Sequence, residues 1–265
     1  MLRSMFEDLA TAAERRELSL VYQPIFDSTA RAVAGLEALL RWDHPVRGAI
    51  PPSQFIPWAE AGHLIVDLGD WVLESACRQI AAWRAAGNSV PRVCINVSAR
   101  QFEDPGFVKR VRRCLTDTGV RPAHIELELT ETVALVNIAA ASAAMNDLRD
   151  AGIALSIDDF GAGHTSMSLA CALPMNALKI DRALTENIAS DHHKQAVVAC
   201  IAAMSRALGL RTIAEGVDSF DSARALERAG CDELQGYYLA PPLHASFVPS
   251  ALRDRSSDAL GRHVA

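Results

Sequence analysis

Apolar residues recur along this chain in two periods. Short runs alternate apolar and polar positions or are apolar throughout, as in V-C-I-N-V-S, I-E-L-E-L-T and L-S-I-D. They predict strands at 20–26, 32–41, 93–98, 125–130, 154–158, 177–181, 212–217 and 234–239. Between most of them lie stripes of helical period at 52–86, 105–118, 137–151, 193–208 and 221–229. Four stripes run into a glycine, at Gly87, Gly152, Gly209 and Gly230, the residue that most readily ends a helix in a left-handed turn. Strand, helix and glycine stop, repeated, predict parallel βα units. Eight strands fit an α/β fold closed as a TIM-like (β/α)₈ barrel. Only D-S-T-A-R separates the first two strands, too short for a helical crossover, so one antiparallel strand is expected at the start. An open doubly wound sheet has less support, because no G-x-G-x-x-G follows any early strand. Residues 1–17 read as a charged amphipathic helix, the stub of a linker from an upstream module; 18–250 form the barrel domain, and 251–265 a polar tail.

Composition narrows the function. Half of the 265 residues are apolar, enough for a sizeable core, and the formal charge of −6 argues against a general DNA or RNA binder. A phosphate-bearing substrate would need local neutralisation, which metal held by carboxylates supplies. Cys77, Cys94, Cys114, Cys171, Cys200 and Cys231 form no C-x-x-C pair, and most lie in apolar segments, so reduced core thiols are expected rather than a zinc site. No apolar run reaches the ~18–20 residues of a membrane span, and charge interrupts the first residues too early for a secretory signal. A cytoplasmic location is the expectation.

In barrel enzymes the reacting groups stand at the C-terminal ends of the strands. Here those ends carry Glu37, Asn96, Glu128, Asp158, Asp159, Lys179, Glu215 and Gln235. Alternation tests whether they converge. Asn96 opposes Val93, Ile95 and Val97; Glu128 opposes Ile125, Leu127 and Leu129; Asp158 opposes Leu155 and Ile157; Lys179 opposes Leu178 and Ile180. One assignment, apolar residues outward to the helices and polar residues toward the axis, satisfies all four strands. Asp159 breaks the alternation and reaches the same site only if the strand bends, for which F-G-A-G provides the flexible backbone. Glu126 shares the inward parity of Glu128 but lies deeper, where it needs a partner the sequence does not identify.

Converging carboxylates repel one another unless cations or protons balance them. An all-oxygen donor set suits Mg²⁺ or Mn²⁺ rather than zinc, and the adjacent Asp158 and Asp159 are placed to bridge two ions for in-line phosphoryl displacement. Lys179 would orient or help deprotonate the attacking water, or hold a phosphate oxygen. Taken singly, each acid reads as a cap or surface charge; agreement among many strands carries the inference. D-F-G also occurs in protein kinases, but no glycine-rich loop with V-A-I-K and no H-R-D accompanies it. His44, His63 and the His192–His193 pair show no ligand spacing.

Glu37-Ala38-Leu39, continued as L-L-R-W, resembles the signature of the EAL-domain cyclic di-GMP phosphodiesterases. The resemblance runs from Leu20 to Leu243 through Y-Q-P-I, F-I-P-W-A-E, N-V-S-A-R-Q-F, E-L-T-E-T, D-D-F-G-A-G, L-K-I-D, A-E-G-V and Q-G-Y-Y. It implies a barrel with one antiparallel strand and hydrolysis of cyclic di-GMP to linear pGpG with two Mg²⁺ or Mn²⁺ ions. By motif it implies Glu37, Asn96, Glu128 and Asp158 on one metal, with Asp158, Asp159 and Glu215 on the second. Lys179 would act on the water, with Asp181 behind it and Gln235 supporting the site. Gln23, Leu39 and Arg41 would contact substrate, and Glu131 would anchor the loop after Asp159 that couples dimerisation to metal binding. A homodimer near residues 159–168 and an upstream sensor or cyclase module follow from the same resemblance. The chain departs from the family pattern at Asp218, where glutamate is usual, at His164 and Thr165 in the loop, and at 59–63. A catalytically silent nucleotide receptor or a protein-interaction module is the rival reading.

Overall fold

The computed structural model describes residues 2–29, 32–130, 138–162 and 167–253. Eight strands close into a barrel: β1 (Leu18–Asp27), β2 (Val33–His44), β4 (Arg92–Val97), β5 (Ile125–Thr130), β6 (Ala154–Phe160), β7 (Ala177–Ile180), β8 (Arg211–Ala214) and β9 (Glu233–Leu234). β1 runs antiparallel to both neighbours, β2 and β9, and every other barrel pairing is parallel. The short opening connection therefore forms the expected hairpin. β3 (Gly48–Ile50) and β10 (Leu243–His244) extend the sheet antiparallel to β2 and β1.

The helices among the described residues are α1 (Leu2–Ala12), α2 (Pro52–Ala61), α3 (Ile65–Ala85), α4 (Ala99–Glu103), α5 (Phe107–Thr118), α6 (Ile138–Asp150), α7 (Met167–Ala172), α8 (Arg182–Thr185), α9 (His192–Ala207), α10 (Phe220–Ala229) and α11 (Val248–Arg253). The apolar stripe at 52–86 divides into α2 and α3, because Gly62 and His63 break the helix, His63 with φ +62°. The Phe6 ring from α1 presses against Gly62, where no Cβ fits. Met5, Leu9 and Ala12 of α1 are buried in the main core, and Glu17 accepts a hydrogen bond from the Trp42 indole at 3.0 Å. All four glycines expected to stop helices have positive φ, from +73° to +92°.

The outward faces of the strands pack on the helices through Leu36, Ile95, Leu127, Leu129, Leu155, Leu178 and Ile180, each at most 1 % exposed. The interior is layered. Ile25, Cys94, Ala177 and Ile213 form a separate apolar layer around the axis. At the floor Glu126, fully buried, meets Arg92 Nε at 2.9 Å and Arg211 Nη2 at 2.5 Å. Glu233 bonds both arginines, Arg211 Nη1 at 3.1 Å. These are the partners Glu126 needs. Gly35 lets the Arg92 guanidinium lie flat against the backbone. At the opposite, C-terminal mouth stand the chemically reactive groups.

Candidate active site

Lys179, 1 % exposed, is the hub of the mouth. Its Nζ lies 2.6 Å from Glu215 Oε1, 2.9 Å from Glu128 Oε2, 3.3 Å from Asp158 Oδ1 and 3.8 Å from Glu37 Oε2. These five side chains come from β2, β5, β6, β7 and the end of β8, so the barrel itself assembles them. Two amides fix Glu37: Asn96 Nδ2 donates to Oε1 at 2.8 Å and Gln235 Nε2 to Oε2 at 2.6 Å. Gln235 also reaches Gln23 Oε1 at 3.3 Å, and Gln23 donates to the Ala240 carbonyl at 3.1 Å.

The electrostatics follow from burial and crowding. Burial pushes the Glu128 carboxyl well above the usual range; Lys179 opposes that, and Glu37 and Asp158 add to it. Burial likewise raises Glu215, to about 7, against the pull of Lys179. Burial disfavours the Lys179 ammonium, but Glu128, Glu215, Glu37 and Asp158 outweigh it and hold the amine charged.

The alternation of β6 breaks where the sequence requires it. The pairing of β6 with β7 shifts register between Ile157 and Phe160, and Asp159 adopts the left-handed region, φ +57°, with its amide donating to Asp158 Oδ1 at 2.9 Å. Asp181 caps α8, accepting from the Ala183 amide at 2.8 Å, and its carboxylate makes no ion pair with Lys179. Leu39 and Arg41 share the inward parity of Glu37 and are half-buried; Arg41 donates to the Leu40 carbonyl at 2.8 Å. Glu131, His164 and Thr165 lie outside the described residues.

A cavity of about 360 Å³ opens over this cluster, lined by Gln23, Glu37, Asp158, Glu215 and Gln235 and also by Arg182, Gly216, Val217, Asp218, Gly236 and Tyr237. Sequence reasoning missed Arg182 and Tyr237 as wall residues. Arg182 follows L-K-I-D directly, just beyond a strand end, and Tyr237 lies two residues past Gln235 and so shares its parity within the predicted strand 234–239. Tyr237 is 71 % exposed.

Four carboxylates face one ammonium, an excess of three negative charges if all are ionised. Oε1 of Glu128 and Oε1 of Gln235 are buried without a hydrogen-bond partner. Orphaned oxygens in an acidic, all-oxygen pocket fit a hard divalent cation. Among the described residues no three acidic, histidine or cysteine side chains already stand at ligand spacing around one point. The Lys179 ammonium occupies the centre that the carboxylates share.

The chain is thus an α/β barrel with one reversed strand and a carboxylate–lysine cluster at its C-terminal mouth. The EAL domain family matches residues 7–242, and the chain belongs to that family. It is 41 % identical over 241 residues to the bifunctional diguanylate cyclase/cyclic di-GMP phosphodiesterase MucR of Pseudomonas aeruginosa, covering 91 % of this chain and 35 % of that protein. It is 36 % identical over 255 residues to the cyclic di-GMP phosphodiesterase NbdA of the same organism, covering 96 % and 33 %. The chain thus spans about a third of the length of these relatives. The solved complex of the PaMucR phosphodiesterase with c-di-GMP superposes with a TM-score of 0.88 at 40 % identity, over 92 % of this chain and 99 % of that one. The EAL domain of Mycobacterium smegmatis DcpA gives 0.77 at 32 %, over 89 % and 97 %. No described helix is long and apolar enough to cross a membrane.

Proposed function

We propose that the chain is a phosphodiesterase that hydrolyses cyclic di-GMP to linear pGpG with Mg²⁺ or Mn²⁺. The observation that carries this is the convergence of Glu37, Glu128, Asp158 and Glu215 on Lys179 at the barrel mouth. The relatives named above for cyclic di-GMP hydrolysis supply the substrate.

In this reading Glu37, Asn96, Glu128 and Asp158 would hold one ion, and Asp158, Asp159 and Glu215 a second. Bound there, the ions would neutralise the phosphate, acidify a water and stabilise the leaving oxygen. The chain's own groups do the rest. The amides of Asn96 and Gln235 keep the Glu37 carboxylate in one orientation. The Lys179 ammonium donates to the attacking water or to a phosphate oxygen. Water adds across a P–O3′ bond, which opens the ring and leaves a 5′-phosphate. By the family motif Gln23, Leu39 and Arg41 would contact the nucleotide, Asp181 would support Lys179, and Glu131 would anchor the loop after Asp159. Two ions per site, a homodimer through residues 159–168, an upstream sensor or cyclase module and a cytoplasmic location belong to the same proposal and rest on the family.

Chromatography of cyclic di-GMP incubated with the protein and Mn²⁺ tests it. Accumulation of pGpG that depends on Mn²⁺ and disappears in Glu37→Ala is expected. Tight nucleotide binding without product would replace the enzyme with a receptor.

A further inference from the structure

Glu215 is bound to the segment that carries Lys179 by its main chain as well as by its carboxylate. Its amide donates to the Ile180 carbonyl at 3.1 Å, and its carbonyl accepts from the Thr185 hydroxyl at 2.5 Å. Thr185 closes α8, four residues beyond L-K-I-D, and is 1 % exposed. A hydroxyl has one proton to give, and the alternative acceptor, the Arg182 carbonyl of the same turn, lies farther off at 3.3 Å. Among the described residues no main-chain amide donates to the Glu215 carbonyl. Thr185 does not line the mouth cavity, so it touches the chemistry only through Glu215.

We propose that Thr185 is a positioning residue for Glu215, its hydroxyl fixing the direction in which that carboxylate leaves the end of β8. The inference rests on the phosphodiesterase reading for what the carboxylate does, though not for how it is held. The short helix α8 is a firm base for such an anchor. Asp181 caps it at the Ala183 amide, and Lys194 Nζ from α9 donates to the carbonyls of Ala183 at 2.6 Å and Glu186 at 2.8 Å.

The need for an anchor lies one residue further along. Gly216 has φ +67°, and a glycine lets the chain swing unless the peptide before it is held. Fixed at both its amide and its carbonyl, Glu215 brings Oε1 to 2.6 Å from Lys179 Nζ. Without the hydroxyl the carbonyl loses its donor, and the peptide gains by turning toward water. A misplacement of about 1 Å at a reacting group can cost roughly 100-fold in rate, so a side chain outside the cavity is enough to matter.

Thr185→Val, which keeps the shape and removes the hydroxyl, and Thr185→Ser, which keeps the hydroxyl, test the assignment in the whole chain. The measurements are hydrogen–deuterium exchange of metal-free protein, calorimetric Mn²⁺ affinity without nucleotide, and hydrolysis of cyclic di-GMP at saturating Mn²⁺. In Thr185→Val the amides of Glu215 and Val217 should exchange about tenfold faster and Mn²⁺ should bind about tenfold more weakly, as for loss of one hydrogen bond. Its kcat should fall at least about tenfold with KM within a factor of about two. Thr185→Ser should bring all of these to within a factor of about three of wild type. In a Glu215→Gln background Thr185→Val should change Mn²⁺ affinity less than about twofold, because the hydroxyl acts through that carboxylate; a purely structural residue would cost the same in both backgrounds. Should Thr185→Val not fold, Thr185→Ala carries the same expectations. Unchanged exchange and Mn²⁺ affinity in the valine variant, or equal impairment of the valine and serine variants, would overturn the proposal. A wild type that forms no pGpG would instead sink the phosphodiesterase reading, and exchange with its rescue by serine would still decide the anchor.

Discussion

Replacing Lys179 by methionine removes the only ammonium among four carboxylates. Glu128, 1 % exposed, would then lose the cationic partner that lies 2.9 Å away. Removing one member of a buried ion pair destabilises a protein by about 3–5 kcal/mol. We expect Lys179→Met to lose that much in urea denaturation with EDTA at pH 8, followed by tryptophan fluorescence. The loss should shrink toward pH 5. The folded Glu215 carboxyl sits at about 7, raised from 4.5, so its contribution is complete below about 4.5 and fades as pH rises through 7. Without the ammonium the carboxyls bind protons more readily still, so acid relieves the variant more than the wild type. Mn²⁺ at about 100 times its dissociation constant should return roughly 2.7 kcal/mol, because a metal restores the missing positive charge, while turnover stays absent. A metal-free Lys179→Met within about 1 kcal/mol of wild type at pH 8, well under the buried-pair value, would refute the view that the ammonium balances this cluster.

Other outcomes follow from particular contacts. Calorimetric Mn²⁺ affinity should weaken as pH falls from 8 to 6, by up to about tenfold per unit where one proton competes, since Glu215 must release its proton to bind; Glu215→Gln should flatten that dependence. Glu126→Gln breaks the floor network with Arg92 and Arg211 and should lower stability by about 3–5 kcal/mol in chemical denaturation, leaving KM for the nucleotide unchanged. Among the described residues Arg182 is the cation that lines the mouth cavity, so Arg182→Ala should raise KM for cyclic di-GMP about tenfold, as for loss of one charge-assisted hydrogen bond, with kcat within a factor of about two. Hydrolysis of bis(p-nitrophenyl) phosphate, which lacks the second phosphate, should be unaffected by that change.

The barrel was legible because its rules are local: alternation located the strands, glycines located the helix ends, and a five-residue connection required the hairpin. The inward parity of Asn96, Glu128, Asp158 and Lys179 needed only the strand period of two. Other features were not local. The partners of Glu126 stand 34 and 85 residues away in sequence, at Arg92 and Arg211, and only the closed barrel brings them together. The break between α2 and α3 was not placed because the apolar period resumes directly after Gly62 and His63, whereas packing against Phe6 of another helix fixes it. The expectation of core cysteines holds for Cys77, Cys94 and Cys231, but Cys171 and Cys200 are exposed, since an apolar segment still turns one face to water. Arg182 was invisible as a wall residue because it follows a strand end, where alternation no longer assigns a direction, whereas Tyr237 shares the parity of Gln235 within the run 234–239 and was overlooked.

The central claim is that this carboxylate–lysine mouth directs water onto a phosphodiester of cyclic di-GMP. Mass spectrometry of the product formed in heavy-oxygen water with Mn²⁺ tests it most directly. The account predicts pGpG carrying one heavy oxygen on its 5′-phosphate, formed by the wild type and not by Glu37→Ala. Unlabelled product, or no product above that of the variant, would contradict it.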